Sequence, residues 1–327
     1  AYANAITLAG EWLPDRWRSV GVTTLSVGTP AGGLVVAALA PSLVDAFGWR
    51  GTFIVIGLAT LLVVALILGV LRDSPSFLLA RGKGPQAHNA ARKVLDGEIE
   101  LAAESHHSDR EGASIGVFDK VNLRLNVGIG VAFASATLGA YAMLNWATTF
   151  LTAKGFTFEE ASYTVSVGGL TSIVAAIAVG VLVQRFGSKV VIAGLSISLV
   201  VTMIFFGMKV EMLSGTPTAG ERWLIVILYG VAGALFSGAV ASFYAVMTHA
   251  YPSSCRSAGI GFGIFVGRAG AIAATGLGGV LIDLGEGSLV PFFAVLCVGA
   301  ALISVAAVVV DKHVPPARRL RRQPDFS

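Results

Sequence analysis

Apolar runs of roughly 20 residues, the length a helix needs to cross the hydrocarbon core of a bilayer, recur along almost the whole chain. That repetition leaves few folds open. Lipid offers backbone N–H and C=O groups no water partner, so a spanning segment must satisfy them within itself, as a helix does, or in a closed barrel. The alternating pattern of barrel strands is absent, so the spans are expected to be helices. The runs place them near residues 18–45, 50–71, 124–151, 160–183, 189–208, 222–249, 257–282 and 290–310, and residues 1–12 read as the end of another. Composition agrees: 55% of the 327 residues are hydrophobic and 13% are charged, and the mean hydropathy is +0.78.

The chain begins at Ala1 inside the apolar stretch AYANAITLAGEW, without a charged flank or a signal-peptide pattern. Further helices are expected upstream. Orientation follows from the distribution of Lys and Arg among the connections. One side holds Arg16, Arg18, the segment from Arg72 to Arg124, Arg185, Lys189, Arg256 and the tail with Arg318, Arg319, Arg321 and Arg322. The other holds only Arg50, Lys154, Lys209 and Arg222. The basic side is expected to be cytoplasmic, with the C-terminus inside. Four regions follow: 1–72, the remainder of a first helix bundle; 73–122, a polar cytoplasmic loop; 123–311, a second bundle of six helices; and 312–327, a basic tail.

Cys255 and Cys297 fall toward opposite sides of the membrane, which argues against a disulfide. His88, His106 and His107 lie in the loop without metal-ligand spacing. Neither a metal nor a cofactor is expected.

An internal repeat turns the list of helices into an architecture. EWLPDRWRSVG, Glu11 to Gly21, aligns with HAYPSSCRSAG, His249 to Gly259, pairing Pro14 with Pro252, Arg18 with Arg256, Ser19 with Ser257 and Gly21 with Gly259 at one offset. Each copy closes one span, turns on the basic side and opens the next, so the repeat is parallel, about an axis along the membrane normal. Four spans precede the second copy within its half and only a stub precedes the first. If the halves match, the whole is two six-helix bundles with about three helices missing from the first.

Local motifs carry a family resemblance. GVLVQRFGSK, Gly180 to Lys189, is similar to the cytoplasmic turn Gly-x-Leu-x-Asp-Arg-x-Gly-Arg-Lys of the major facilitator superfamily, with Gln184 where the family usually has an acid. FGWRGTF, Phe47 to Phe53, and RDSPSFLLARGK, Arg72 to Lys83, resemble the start of its sixth helix and of its central loop. Within that superfamily, Phe243 to Gly279 resembles the aromatic acid:proton symporter family at Tyr251, Pro252, Arg256, Gly259, Gly261, Gly267, Arg268, Gly270, Ile272, Gly278 and Gly279. NAITLAGEWLPDRWRS and MLNWATTFLTAKGFTFEEAS extend the likeness, while Ala147 and Gly276 stand near positions where many members carry proline. The resemblance implies an all-α membrane protein of the major facilitator type, importing a small aromatic carboxylate together with protons.

Arg268 is the one Lys or Arg placed well inside a span. Charge at that depth costs roughly 2.5 to 3.5 kcal/mol on insertion scales, so something must offset it. A substrate carboxylate would do so, because a guanidinium binds two oxygens in parallel. The alternative is a structural role against backbone carbonyls or an acid elsewhere. Tyr141 and Asn145 lie one turn apart with Trp146 beside them, and Ser237 and Tyr244 lie two turns apart, so these five are candidates to stack on and hydrogen-bond an aromatic ring. Membrane packing and interfacial anchoring explain them equally well. No Asp or Glu falls near the middle of a span, and the resemblance implies that the proton-handling acid lies in the first helix of the complete protein. Glu11, Arg18, Arg185 and Arg256 gather at span ends on the basic side and are candidates for a gate of ion pairs. Simple anchoring is the alternative for them.

Other functions fit less well. No phosphate-binding Gly-Lys-Ser/Thr loop and no catalytic constellation is present, so neither ATP-driven transport nor an enzyme is expected. A sugar carrier needs no buried cation. An efflux antiporter draws only on VGTPAGGL, whose Gly28, Pro30, Gly32 and Gly33 are a compressed form of the antiporter signature. A transporter-like sensor lacks a signalling domain in this sequence. The expected partners are a small organic anion, protons and the lipid bilayer, with no nucleic acid; the expected state is a monomer in a plasma membrane, on the resemblance a bacterial inner membrane.

Overall fold

The computed structural model describes residues 20–21, 24–25, 27–70, 116–213, 215–252 and 255–316. The chain divides into two compact units, Ala1–Leu34 with Ile115–Ser327, and Val35–Ser114. Most of the expected loop 73–122 lies outside the described residues, as do Glu11 and Arg18.

Helix α1, Gly28–Val70, carries a break at Gly48, whose φ of 66° and ψ of 173° are non-helical. Only glycine adopts that conformation without strain. The hydroxyl of Thr52 donates to the Gly48 carbonyl at 2.9 Å, so the helix restarts at once. The break falls between the expected spans 18–45 and 50–71, and the part beyond it, Ala46–Ile67, is long and apolar enough to cross a bilayer.

The other described helices are α2, Lys120–Ala153; α3, Phe158–Phe186; α4, Ser188–Glu211; α5, Ala219–Ala250; α6, Arg256–Leu284; and α7, Val290–Val309. All six have the length and composition of membrane spans, and their bounds lie within a few residues of those expected. Local chemistry sets the ends. Thr157 and Thr218 each open a helix with a capping box, their hydroxyls accepting from Glu160 N and Glu221 N while the two carboxylates accept from the cap N–H groups. Gly187, at φ 85°, ends α3 and lets α4 begin on the next residue.

The helices alternate in direction. One end of the bundle gathers the start of α2, the α3–α4 turn, the close of α5, the start of α6 and the close of α7. There Arg124 Nε donates to Val309 O at 2.9 Å, and the buried Tyr251 donates its hydroxyl to Asn126 Oδ1 at 2.6 Å. Burial pushes the Tyr251 phenol up, so it stays a donor. At the other end Lys154 meets Glu211 at 3.5 Å, Glu211 also accepts from Leu289 N at 2.8 Å, and Arg222 pairs with Glu160.

Two kinds of seam hold the bundle. Phe150 of α2, Phe206 of α4, and Phe292 and Phe293 of α7 form a buried aromatic cluster with centroids 5.3 to 6.4 Å apart. Helices α2 and α6 instead meet through glycine. A Cβ on Gly270 would stand 2.3 Å from Ala134 O, and one on Gly267 would stand 2.4 Å from the Phe133 ring. Backbones approach that closely in membranes through small residues. Around the bundle Val174, Val190, Val201 and Val305 are exposed, the outer surface a lipid solvent requires.

Candidate functional site

The glycine seam decides which side chains can meet. Thr137 on α2 stands with its hydroxyl 2.7 Å from Gly267 O, 2.8 Å from Phe133 O and 3.1 Å from Ala134 O, one proton among three acceptors. One turn further along α2 is Tyr141, and the residue after Gly267 on α6 is Arg268. Arg268 Nη1 donates to Tyr141 Oη at 2.9 Å, with its guanidinium carbon 6.0 Å from the centre of the tyrosine ring. Arg268 is exposed on the bundle surface and Tyr141 is half-buried.

Beyond them, Asn145 Nδ2 donates to Thr275 Oγ1 at 2.9 Å, and Thr275 passes its own proton to Ala271 O at 3.1 Å. Trp146 donates from its indole to Ala274 O at 3.2 Å. Its ring is seated on two glycines: a Cβ on Gly278 would lie 2.2 Å from Nε1, and one on Gly279 2.7 Å from the far ring edge. Arg268, Tyr141, Asn145, Trp146 and Thr275 therefore share one stretch of the α2–α6 seam. In a bilayer, exposed polar groups at this depth face protein or water rather than lipid. The arrangement offers a fixed cation, an aromatic face and an amide, which together suit a flat anion.

Ser237 and Tyr244 stand apart from this cluster. Ser237 Oγ donates to Ser172 O at 3.0 Å and ties α5 to α3. Tyr244 is 8% exposed, with its ring edge-on to Phe133 at 5.0 Å, and Phe133 in turn lies against Gly267. Thr275 is the residue that sequence reasoning missed. Its one signal was its position two turns beyond Arg268, on the same face of α6.

Of the gate candidates, Arg185 ends α3 exposed, its guanidinium carbon 5.4 Å from the Phe186 ring centre. Arg256 opens α6, where the helix dipole is positive, and its Nε is buried with no hydrogen-bond partner among the described residues. Across α2–α7 every Asp or Glu lies at a helix end: Glu159, Glu160, Glu211, Glu221 and Asp283.

Comparison with known proteins places this geometry in a family. The model of the Major Facilitator Superfamily matches residues 1–211 and again 129–326. A 4-hydroxybenzoate transporter, PcaK, from Acinetobacter baylyi is 25% identical over 94% of this chain and 67% of its own length. A gallate transporter from Pseudomonas putida is 26% identical over 99% of this chain and 70% of its own. A benzoate transport protein from A. baylyi is 25% identical over 86% of this chain and 59% of its own. The chain thus spans about two thirds of the length of the curated relatives it matches. Among solved structures, the proton:xylose symporter XylE bound to 6-bromo-6-deoxy-D-glucose superposes with a TM-score of 0.72 at 18% identity, over 95% of this chain and 68% of that one. The two matches of one family model together cover all but the last residue of the sequence, and the solved neighbour has the same helical fold: this chain belongs to the Major Facilitator Superfamily of membrane transporters.

Proposed function

We propose that the protein is a proton-coupled symporter that imports a small aromatic carboxylate by alternating access. The observation that carries this reading is the Arg268–Tyr141 pair on the exposed face of the α2–α6 seam. Arg268, exposed rather than buried in the bundle, takes the carboxylate in a bidentate pair, and the cost of placing its charge within a membrane span is then offset by the anion. Tyr141 holds the guanidinium and offers a ring against which the substrate ring packs. Trp146, fixed on Gly278 and Gly279, borders the site; Tyr244 backs it through the Phe133 ring, and Ser237, which ties α5 to α3, lies outside it. The names of the curated relatives, 4-hydroxybenzoate, gallate and benzoate transporters, support the same class of substrate.

The proton requires a carboxylate that α2–α7 do not hold near their middle, so coupling belongs to the other bundle. In this reading residues 1–72 are the remainder of that bundle, 73–122 the central loop, 123–311 the second bundle and 312–327 a cytoplasmic tail; the carrier is a monomer in a bacterial inner membrane. Arg256, whose Nε has no partner among the described residues and stands at a helix N-terminus, is the strongest member of the gate and calls for an acid, for which Glu11 is the candidate; Arg18 and Arg185 complete the set. Arg256→Gln is expected to shift the balance of inward- and outward-open states in a cysteine-accessibility assay, and an unchanged balance would remove the gate.

The main test is uptake of labelled 4-hydroxybenzoate and of a sugar panel by cells carrying the full-length protein, with and without a protonophore. Aromatic-acid uptake that the protonophore collapses and that Arg268→Ala reduces at least about 100-fold, the loss of a charge-assisted bidentate pair that the bound substrate covers, is the expected result. Sugar uptake indifferent to Arg268→Ala would make this a sugar carrier with a structural arginine.

A further inference from the structure

Asn145 and Thr275 carry an assignment that the anion site alone does not require. The Thr275 proton is committed to Ala271 O, so Thr275 Oγ1 must accept from Asn145 rather than donate to it. That fixes the orientation of the Asn145 amide: its NH₂ faces Thr275, and Oδ1 remains as an acceptor. Both residues are exposed on the same side of the bundle as Arg268. Thr275 lies seven residues beyond Arg268 on α6 and Asn145 four beyond Tyr141 on α2, which at helical rise are separations of about 10 Å and about 6 Å along the seam. A single benzene ring bearing a carboxylate at one end and a substituent at the other, with a hydrogen bond at each end, fills that interval.

We propose that Asn145, oriented by Thr275, is the specificity-determining residue of this carrier, and that it reads a hydrogen-bond donor, a hydroxyl or amino group, on the ring position opposite the carboxylate. The proposal rests on the reading of Arg268 as the carboxylate anchor and adds a polarity to the ligand: carboxylate toward the start of α6, donor substituent toward its end. Asn145 is exposed, and a ligand that covers its Oδ1 without pairing it is disfavoured, which is how a polar site rejects an analogue lacking the donor more firmly than an apolar one does. Asn145 binds and Thr275 acts through it, as a positioning residue.

The test is competition among four probes, 4-hydroxybenzoate, 4-aminobenzoate, 4-methoxybenzoate and benzoate, for uptake by cells carrying the full-length protein. The wild type is expected to favour the two donor-bearing acids and to treat 4-methoxybenzoate like benzoate. In Asn145→Ala and in Thr275→Val the ratio of kcat/KM for 4-hydroxybenzoate over benzoate is expected to fall by about 3- to 10-fold, the worth of one hydrogen bond, whereas Thr275→Ser, which keeps the hydroxyl, restores it. A ratio that does not change in either variant, or 4-methoxybenzoate accepted as well as 4-hydroxybenzoate, overturns the assignment and leaves the pair as a clasp between α2 and α6. Arg268→Ala separates this failure from that of the parent reading: if it spares uptake of all four acids, or if the wild type takes up none of them, the carboxylate anchor is wrong and this proposal falls with it.

Discussion

Helix α2 packs through glycine on one side and through phenylalanine on another, and the two seams divide the labour of the bundle. Toward α6 it meets Gly267 and Gly270 at backbone distance, and the polar groups Arg268, Tyr141, Asn145 and Thr275 line the exposed edge of that contact. Toward α4 and α7 it meets Phe206, Phe292 and Phe293 through Phe150, all of them buried. Glycine gives close backbone approach, so it fixes the spacing between the two helices that carry the proposed site. Interlocked rings give contact area and one arrangement. The difference teaches that the proposed site lies where two helices approach through glycine, and that the same helix is held from behind by interlocked rings.

The comparison breaks most visibly at Gly270. Any Cβ there would overlap Ala134 O and stand 2.9 Å from Thr137 Oγ1, and backbone cannot yield as a side-chain end can. Gly270→Val is expected to force α2 and α6 apart at a cost of about 3 kcal/mol, with uptake lost altogether and the detergent-solubilised protein melting earlier. If Gly270→Val transported normally, the glycine seam would not set the site.

Phe206→Ala tests the opposite seam with a smaller effect. In lipid the transfer part of the usual penalty is largely absent, because the unpacked side chain is no wetter than the packed one; the cavity part remains, on the order of 2 kcal/mol. Melting is therefore expected to fall while KM for an aromatic acid stays close to the wild-type value, since the rings Phe206 packs on are Phe150, Phe293 and Tyr229, in the aromatic seam rather than the glycine one. A change in KM larger than the change in stability would show that the two seams are coupled.

The sequence made the glycine seam partly readable and the aromatic seam hardly at all. Bounds of α2 to α7 follow from where apolar runs meet charge, capping threonines and Gly187, all local signals. Arg268 stood out because an intramembrane cation is costly wherever it sits, and Tyr141 and Asn145 followed from helical spacing. Gly267, Gly270, Gly278 and Gly279 were recognised as a motif, but the motif did not say what each glycine seats: Phe133, Ala134 and the Trp146 ring. Thr275 was missed because a threonine in an apolar helix normally bonds back to its own carbonyls, and only the partner helix reveals the second role. Which four phenylalanines out of 18 would cluster depends on tertiary packing alone.

The smallest expected effect lies outside both seams, in the segment after α7. His313 stands with Nδ1 3.2 Å from Ser188 Oγ and Nε2 3.1 Å from Ala307 O, and Ser188 and Val314 exchange hydrogen bonds, Ser188 N to Val314 O at 3.0 Å and Val314 N to Ser188 Oγ at 2.9 Å. Burial pulls the His313 imidazole below its usual range, and the nearby Lys189 pulls the same way; the carbonyls of Ala307 and Val310, with the Asp311 charge, oppose without reversing it. The docked segment thus favours neutral histidine, while the undocked one titrates near the ordinary value of about 6.5. Its attachment to the α3–α4 turn is complete above that value and weakens as pH falls through the lower, docked range. Amide exchange at Val314, expressed as protection relative to the intrinsic rate, is expected to drop between about pH 7.5 and 5, to become flat with pH in His313→Gln, and to leave Thr137 and its neighbours in the glycine seam unaffected, because no acid or histidine lies there. Protection at Val314 that stays constant with pH in the wild type would reduce His313 to a packing residue and make this end of the bundle as insensitive to protons as the seam proposed to carry the site.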